Sequence, residues 1–231
     1  MSKRIGIIGG LSPESTVEYY LYLTRTYTRR FGSSAYPEVL IYSVSFQSYA
    51  DWPAQGRWDL VAHGLSEAAR KLEAAGADFI VISANTMHMV VDEVRQAVHV
   101  PVLSLLDVVS EAVAGRGFKT VGLLGTRYTM EQAFFPRALA SRGIQTLVPD
   151  VEERQYINGV IYNELVKGQF NPEARQGFVK IIQRLAQCGA EGVILGCTEI
   201  PLLVRETDAG LPLFNTTTLH AEAALQYALQ D

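Results

Sequence analysis

The residue best suited to chemistry in this 231-residue chain is Cys197, which follows an apolar run and precedes Thr198 and Glu199. A lone cysteine in such a place is most often a small buried side chain. The residues after it, however, indicate a helix start, where the helix dipole and hydroxyl donors lower the pKa of a thiol and favour the thiolate. We therefore predict that Cys197 is a base or nucleophile. Cys188, which precedes a helix-ending Gly189, is predicted to be structural.

The spacing of other reactive residue types argues against a metal or dinucleotide site. The chain has no CxxC, HExxH or paired His/Cys spacing, so we expect no bound metal. The run Gly9-Gly10-Leu11-Ser12 lacks the GxGxxG spacing of a dinucleotide loop, and the next apolar run ends in serines instead of a ribose-binding acid. Two interpretations stay open. The glycine turn presents helix N–H groups to a carboxylate, or it only permits tight packing of a strand against a helix.

The amino-acid composition limits the classes of molecule that this protein is expected to bind. Hydrophobic residues make up 48% of the chain and charged residues 19%, which excludes a disordered or coiled-coil protein. The net charge of −4 leaves no basic surface for nucleic acid or for anionic lipid, so a small molecule is the expected partner. The apolar runs are too short for a membrane span or a secretory signal. We therefore predict a cytoplasmic protein without a structural disulfide.

The elements that position these residues alternate between short apolar runs and helical patterns, which predicts an α/β fold of parallel strands flanked by helices. Helices are predicted to begin at the N-cap residues Ser12, Thr129, Asp150 and Asn171. Residues 52–58 are predicted to form a long loop, a candidate lid. The predicted strands are Arg4 to Ile8, Val39 to Val44, Phe79 to Ile82, Val102 to Leu106, Val121 to Leu124, Gly192 to Leu195 and Leu211 to Phe214.

The second half of the chain repeats the first in three ordered places. The repeat predicts two pseudo-symmetric lobes, 1–115 with 212–231 and 116–211, and a site in a cleft between them at the carboxyl ends of the strands. By this repeat Ala84 corresponds to Cys197. The matched pairs are Gly6-Ile7-Ile8-Gly9 with Gly122-Leu123-Leu124-Gly125, Ala75 to Ile82 with Cys188 to Leu195, and Val100-Pro101-Val102-Leu103 with Leu211-Pro212-Leu213-Phe214.

Five motifs follow one another along the chain. They are Gly9-Gly10-Leu11-Ser12-Pro13-Glu14-Ser15-Thr16, Asn85-Thr86-Met87-His88, Gly125-Thr126-Arg127-Tyr128-Thr129, Gly196-Cys197-Thr198-Glu199 and His220-Ala221-Glu222. Taken together, these motifs resemble the aspartate/glutamate racemase family over essentially the whole chain. The resemblance implies two pseudo-symmetric α/β lobes with the site between them, a homodimer, and proton exchange at the α-carbon of an acidic or related amino acid. It also implies that no pyridoxal phosphate or metal is used, because two cysteines act on opposite faces of the substrate, one as thiolate and one as thiol.

The chain departs from the family pattern at one of the two cysteines. Cys197 is present, but Ala84 occupies the other position, and its methyl group can neither take nor give a proton. The chain is most similar to an asymmetric branch of the family in which threonine replaces the first cysteine. Either water or Ser83 then relays the second proton, or catalysis is weak, since one acid–base partner contributes about 10²- to 10⁴-fold. Asn215 replaces a usual aspartate, which alters either the basicity of the site or only its packing.

Strand-end position and resemblance together suggest the substrate-binding residues. Ser12 and Thr129 have an alternative role as helix caps, and Lys167 precedes Gly168, where a lysine also suits a helix C-terminus. The substrate-binding candidates are Gly10, Leu11, Ser12, Asn85, Thr86, Thr126, Thr129, Lys167 and Thr198. Both histidines among the secondary candidates have an alternative role as packed core residues. The secondary candidates are His88, Glu199 and His220.

Three functions are compatible with these residues. The main prediction is an isomerase, a cofactor-independent amino-acid racemase of the aspartate/glutamate type in which Cys197 is the base and Ala84 impairs activity. One alternative is a one-cysteine decarboxylase of malonate-type acids, which needs a proton donor on one side only. The other is a binder of amino or dicarboxylic acids that no longer catalyses a reaction. The carboxylate-binding motifs do not discriminate between them.

Overall fold

The computed structural model describes residues 2–230, which form two compact units, residues 2–105 with 217–230 and residues 106–216. Each unit contains a four-stranded parallel sheet flanked by helices. The predicted α/β class is therefore confirmed. Within the part of the chain that the structure describes, no helix is both long enough and apolar enough to cross a membrane.

The first unit is built on four parallel strands. They are β1 (Ile5–Gly9), β2 (Val39–Ser43), β3 (Phe79–Ile82) and β4 (Val102–Leu103), in the order β2-β1-β3-β4. Its helices include α1 (Pro13–Phe31), α2 (Phe46–Ala54), α3 (Trp58–Ala74) and α4 (Val91–Gln96), and a 3-10 helix (Thr86–Val90) precedes α4. β1 and β3 are buried along their whole length, which explains why both are continuous apolar runs in the sequence.

The second unit repeats this plan. Its strands are β5 (Thr120–Gly125), β6 (Gln145–Leu147), β7 (Gly192–Gly196) and β8 (Leu213–Asn215), in the order β6-β5-β7-β8. Its helices are α5 (Leu105–Gly115), α6 (Arg127–Glu131), α7 (Phe134–Ala140), α8 (Val151–Asn163), α9 (Pro172–Gln187), α10 (Ile200–Leu203) and α11 (Glu206–Ala209), with a 3-10 helix (Leu165–Lys167) after α8.

The two sheets share one strand order, as the internal repeat predicts. In the first sheet Ile8 is in register with Ile82, and in the second Leu124 is in register with Leu195. The repeat did not reveal β6, because this three-residue edge strand is short and only partly buried and so leaves no apolar run in the sequence.

The last helix of the chain, α12 (Thr216–Ala228), belongs mostly to the first unit. Its Ala221, Leu225 and Ala228 pack in one hydrophobic cluster with Ile5 and Phe79. The boundaries between the units differ from the predicted ones at two places. β8 pairs with β7 and so lies in the second sheet, and residues 106–115, which form most of α5, also belong to the second unit.

Two predicted elements are wrong. Residues 52–58 are not a long loop, because the end of α2 and the start of α3 occupy them, with a tight turn at Gly56 between. The sequence from Thr129 to Gly143 predicts a single helix, because a capping residue precedes it and a glycine ends it, but the structure divides this segment into α6 and α7. Asp150 is confirmed as the N-cap of α8, since its side chain accepts a 2.9 Å hydrogen bond from the backbone N–H of Glu153.

Candidate active site

Two strand ends in the second unit bring Cys197 close to Thr126. Gly125, at the end of β5, is paired in register with Gly196, at the end of β7. Thr126 and Cys197 therefore leave neighbouring strands at the same edge of the sheet, where adjacent strands are about 4.8 Å apart. Asn215 ends β8, the neighbour of β7 on its other side.

Thr126 is the residue that caps α6. Its extended backbone and its Oγ1, which accepts a 3.4 Å hydrogen bond from the backbone N–H of Thr129, are those of an N-cap. The two threonine hydroxyl oxygens also lie 3.2 Å apart, and both side chains are buried. The prediction that Thr129 is the cap is therefore wrong by three residues, because Thr129 is the residue whose N–H is capped.

Cys197 is hydrogen-bonded to a carboxylate. Its Sγ donates to Oε2 of Glu199 over 3.0 Å, and the hydroxyl of Thr198 donates to the same oxygen over 2.8 Å. Cys197 is 8% exposed and Glu199 3%. The two buried side chains and the half-buried Thr198 thus form a group in which one carboxylate oxygen accepts two hydrogen bonds.

This environment keeps Cys197 in its thiol form. Burial raises the pKa of Cys197 well above that of a free cysteine, and the negative charge of Glu199 together with the hydrogen bond to it raises that pKa further. The helix expected to lower the pKa begins only at Ile200 and has four residues, so its dipole is small. The prediction of a lowered pKa at Cys197 is therefore wrong.

Sequence reasoning missed Tyr162 on α8. Partial burial of Tyr162, which is 39% exposed, raises its pKa to about 12, and electrostatic interactions with Cys197, Tyr128 and Glu199 raise it too, whereas Arg127 lowers it. These electrostatic interactions place Tyr162 in the surroundings of the thiol. The sequence carries no signal for it, because only the packing of α8 against α6 and β5 brings residue 162 to this edge.

The matching edge of the first unit begins with the glycine turn after β1. Gly10 has a φ of +76°, and a Cβ placed there would lie 2.2 Å from the carbonyl oxygen of Val44. Its N–H donates to Oγ1 of Thr16 over 2.9 Å, and Ser12 caps α1 by accepting from the N–H of Ser15 over 3.2 Å. Gly10 and Ser12 therefore both have a structural role.

Ser83, a candidate proton relay, is committed to the backbone. Its hydroxyl donates to the carbonyl oxygen of Ile8 over 3.0 Å, and its own carbonyl accepts from the hydroxyl of Ser15 over 2.5 Å. The side chain is fully buried. These contacts argue against Ser83 as the donor of a second proton.

His88 is held in one neutral tautomer beside Ala84. The backbone N–H of Leu105 donates to Nε2 of His88 over 3.0 Å, so Nε2 carries no proton. Nδ1 therefore carries it and donates to the carbonyl oxygen of Ala84 over 2.8 Å. His88 thus connects the end of β3 to the start of α5.

His220 is likewise a neutral core residue. Nδ1 accepts from the hydroxyl of Tyr19 over 2.8 Å, and Nε2 donates to the carbonyl oxygen of Leu103 over 3.0 Å. Burial lowers its pKa to about 3, with a smaller contribution from His88. The hydrogen bonds of both histidines correspond to the structural alternative considered for them.

The remaining candidates lie in different surroundings. Leu11 packs into the hydrophobic cluster of the first unit. Asn85 is buried and precedes the 3-10 helix that Thr86 begins, so both lie directly after Ala84 at the sheet edge. Lys167 is exposed at the end of the second 3-10 helix, and a role for it at a substrate carboxylate stays a prediction.

Comparison with known proteins identifies the family of this chain. Residues 8–224 match the family model for Asp/Glu/hydantoin racemases. The chain belongs to this racemase family.

Individual relatives agree with this assignment. The chain is 25% identical over 224 residues to the broad-specificity amino-acid racemase RacX of Bacillus subtilis, and the alignment covers 96% of each protein. A solved structure of an Asp/Glu racemase candidate from Yersinia pestis is 41% identical, with a TM-score of 0.92, and the match covers 99% of this chain and 100% of that one. The structure of an aspartate racemase homologue from Pyrococcus horikoshii is 37% identical, with a TM-score of 0.85 and the same coverage.

Family membership confirms the expected isomerase class, amino-acid racemase. The strand ends of the chain carry one thiol, Cys197, and at the repeat-related position the methyl group of Ala84. Within residues 2–230, no three His, Cys, Asp or Glu side chains come together in a way that could hold a metal ion.

Proposed function

We propose that this protein is a cofactor-independent racemase of an acidic or related amino acid and that Cys197 exchanges the α-proton. The observation that carries the proposal is the hydrogen bond from Sγ of Cys197 to Oε2 of Glu199 at the end of β7. A buried thiol next to a buried carboxylate is a proton-transfer pair, because the carboxylate can accept the proton that the thiol must lose to become a base.

The proposed reaction moves a proton in four steps and returns Cys197 and Glu199 to their starting forms. Starting from the thiol, Cys197 passes its proton to Oε2 of Glu199 and becomes a thiolate. The thiolate removes the proton on the α-carbon and returns to the thiol form, and the electron pair of the broken C–H bond moves into the substrate carboxylate. Return of a proton to the other face of the planar intermediate gives the opposite enantiomer, and Glu199 then releases the proton it holds.

The proton for the other face comes from water in this proposal. Ala84 cannot supply it, and Ser83 is bound to the carbonyl oxygen of Ile8. Water is a poorer acid than a positioned thiol, so racemisation is expected to be slow compared with proton exchange on the Cys197 side. This asymmetry distinguishes the chain from a two-thiol racemase.

Substrate binding is assigned to the polar groups around the two strand ends. Thr126 and Thr198 flank Cys197, and Asn85 and Thr86 flank Ala84, so their hydroxyl, amide and backbone N–H groups are suited to the α-carboxylate. Donors to this carboxylate also stabilise the negative charge that develops when the α-proton leaves. The name of the Bacillus subtilis relative, a broad-specificity racemase, favours testing neutral amino acids beside aspartate and glutamate.

The experiment is α-proton exchange in D₂O, followed by NMR for L- and D-aspartate, L- and D-glutamate and a panel of neutral amino acids. Wild type is expected to incorporate deuterium faster than it inverts configuration. Cys197→Ser is expected to slow exchange by about 10²-fold or more, whereas Cys188→Ser serves as the matched control and leaves it unchanged. Ala84→Cys restores a thiol at the repeat-related position and is expected to raise the rate of inversion relative to exchange.

Two outcomes would contradict the proposal. One is the absence of exchange with every amino acid tested, in wild type and in Ala84→Cys alike. The other is exchange that persists in Cys197→Ser, since the proton would then move through a different group.

A second candidate function is favoured by the thiol form of Cys197. A single thiol, with a methyl group at the repeat-related position, suits protonation of an enolate from one side, as a decarboxylase of substituted malonates requires. Release of carbon dioxide from such malonates, with formation of one enantiomer and without α-proton exchange on amino acids, would support this candidate instead.

A further inference from the structure

A cavity of about 250 Å³ lies in the first unit between α1 and the first turn of α12. Its lining consists of one acid, two arginines, three threonines and two apolar or aromatic side chains, and includes Glu18, Leu21, Tyr22, Arg25, Arg29 and Thr217. None of them belongs to the residues assigned above to the reaction.

Thr217 is the first indication that the cavity has a ligand. The residue is 2% exposed, and among residues 2–230 its buried Oγ1 has no hydrogen-bond partner. Its neighbour Thr216 shows the usual arrangement, since its hydroxyl donates to the carbonyl oxygen of Leu195 over 2.9 Å. Burying a hydroxyl without a partner is unfavourable, and a polar ligand in the cavity would supply the missing partner.

The charges around the cavity are the second indication. Arg25 and Arg29 form no ion pair with any residue in the described range, although one nitrogen of Arg29 donates to Thr26 over 3.2 Å. Arg30, the next residue on α1, is by contrast fully engaged by Glu222 through bonds of 2.7 and 2.8 Å. With Glu18 as its one acid, the lining carries a net charge of about +1 at neutral pH.

Each chemical group of an acidic amino acid has a complementary side chain in this lining. Such a molecule has two carboxylates and one ammonium, and its net charge of −1 balances that of the cavity. Guanidinium groups bind carboxylates in a bidentate manner, and the N-terminal end of α12 adds a positive dipole. Glu18 suits the ammonium, and Leu21 and Tyr22 provide apolar surface for the methylene groups. The volume equals that of about eight waters, which is enough for a molecule of this size.

We infer that the cavity between α1 and α12 is a second binding site for an acidic amino acid, in which Arg25 and Arg29 hold carboxylates, Glu18 holds the ammonium and Thr217 donates a hydrogen bond. The site differs from the reaction site because it contains no thiol.

The test is an NMR titration of the full chain, with the methyl signals of Thr217 and Leu21 as local reporters and L-glutamate, D-glutamate and L-aspartate as probes. Cys197→Ser is used so that no reaction takes place. The expected result is a saturable shift of these signals, with an affinity that falls at least about tenfold in Arg25→Gln and in Thr217→Val. Thr217→Ser keeps the hydroxyl and is expected to bind normally, as is Arg30→Gln, a change on the same helix outside the cavity.

Glutarate, which has two carboxylates and no ammonium, separates an amino-acid site from a general anion site. Glu18→Gln is expected to weaken glutamate binding and to strengthen glutarate binding. Unchanged affinity in both Arg25→Gln and Thr217→Val, or no shift at Thr217 with any probe, would overturn the inference. Because the titration requires no chemistry, failure of α-proton exchange in wild type would leave this site unaffected, and failure of the titration would leave the proposed racemase reaction unaffected.

Discussion

Sγ of Cys197 lies 3.0 Å from Oε2 of Glu199, and the two residues are separated by Thr198, whose hydroxyl donates to the same oxygen. Because the two residues are only two positions apart, the turn after β7 brings them together. The thiol and its proton acceptor therefore both lie at the edge of the sheet where β7 ends. The remaining polar groups of the site have to be positioned around this pair.

Replacing Glu199 by Gln is expected to have opposite effects on acidity and on turnover. Removal of the negative charge lowers the pKa of Cys197 from its raised value, although burial, the larger cause, remains. The rate of alkylation by iodoacetamide should therefore rise at a lower pH than in wild type. Exchange of the α-proton should fall by about tenfold or more, because the thiol has lost its proton acceptor.

The alkylation experiment is done in a Cys188→Ser background, since Cys188 is exposed and would react first. An alkylation profile that stays in place or moves to higher pH in Glu199→Gln would show that Glu199 does not act on the thiol.

Thr126→Ala tests the corrected N-cap of α6. Loss of the hydroxyl leaves the N–H of Thr129 without its partner and should lower the free energy of unfolding by about 1 kcal/mol. Ser45→Ala is the matched control, because Ser45 precedes α2 without a capping hydrogen bond, and its effect should stay within about 0.5 kcal/mol. Urea unfolding measures both, and equal effects would contradict the assignment of the cap.

Because the pKa of His220 is lowered in the folded protein, the free energy of unfolding is expected to fall as the pH falls. Its pKa is about 3 in the folded protein and about 6.5 in the unfolded chain, so the unfolded state binds the proton more readily. The stabilisation is complete above about pH 6.5 and is lost as the pH falls from there towards 3, by up to about 1.4 kcal/mol per pH unit. Urea unfolding between pH 7.5 and 4.5 should show a shallower loss in His220→Gln than in wild type.

Carboxyl groups also change the free energy of unfolding in this pH range. The comparison therefore depends on how the slope of unfolding free energy against pH differs between wild type and His220→Gln. Asp78, Asp150 and Glu222 have lowered pKa values and lose stability towards acid pH in the same direction. Identical slopes for wild type and His220→Gln would mean that His220 takes up its proton at an ordinary pH in the folded state.

Gly10→Ala is expected to be strongly destabilising, by about 3 kcal/mol or more, because strain at a φ of +76° is added to a collision of the new Cβ with the carbonyl oxygen of Val44. Gly32→Ala is the control. Gly32 also has a positive φ, +65°, but a Cβ there would meet open space, so only the strain of about 1 kcal/mol remains. Similar losses for the two variants in denaturant unfolding would exclude the close approach at Gly10.

Short-range patterns in the sequence, such as capping residues, are enough to predict many of the helices and strands. The N-caps Ser12 and Asp150 were found because a capping side chain and the N–H it binds are three residues apart. The cap at Thr126 was misplaced because Thr129 with Gln132 offers the same local pattern three residues later. The site residues near Cys197 were predicted from motifs, whereas Tyr162 was not, since its relation to the thiol depends on how α8 packs.

The order of residues by itself determined the α/β class, the internal repeat, the family and the correspondence of Ala84 with Cys197, because these depend on apolar periodicity and on motifs that survive as short runs. Only the tertiary structure decided the protonation state of Cys197, since desolvation and the position of a carboxylate oxygen are properties of surroundings rather than of a motif. It also decided that His88 and His220 are neutral core residues, because their partners Leu105, Leu103 and Tyr19 are distant along the chain.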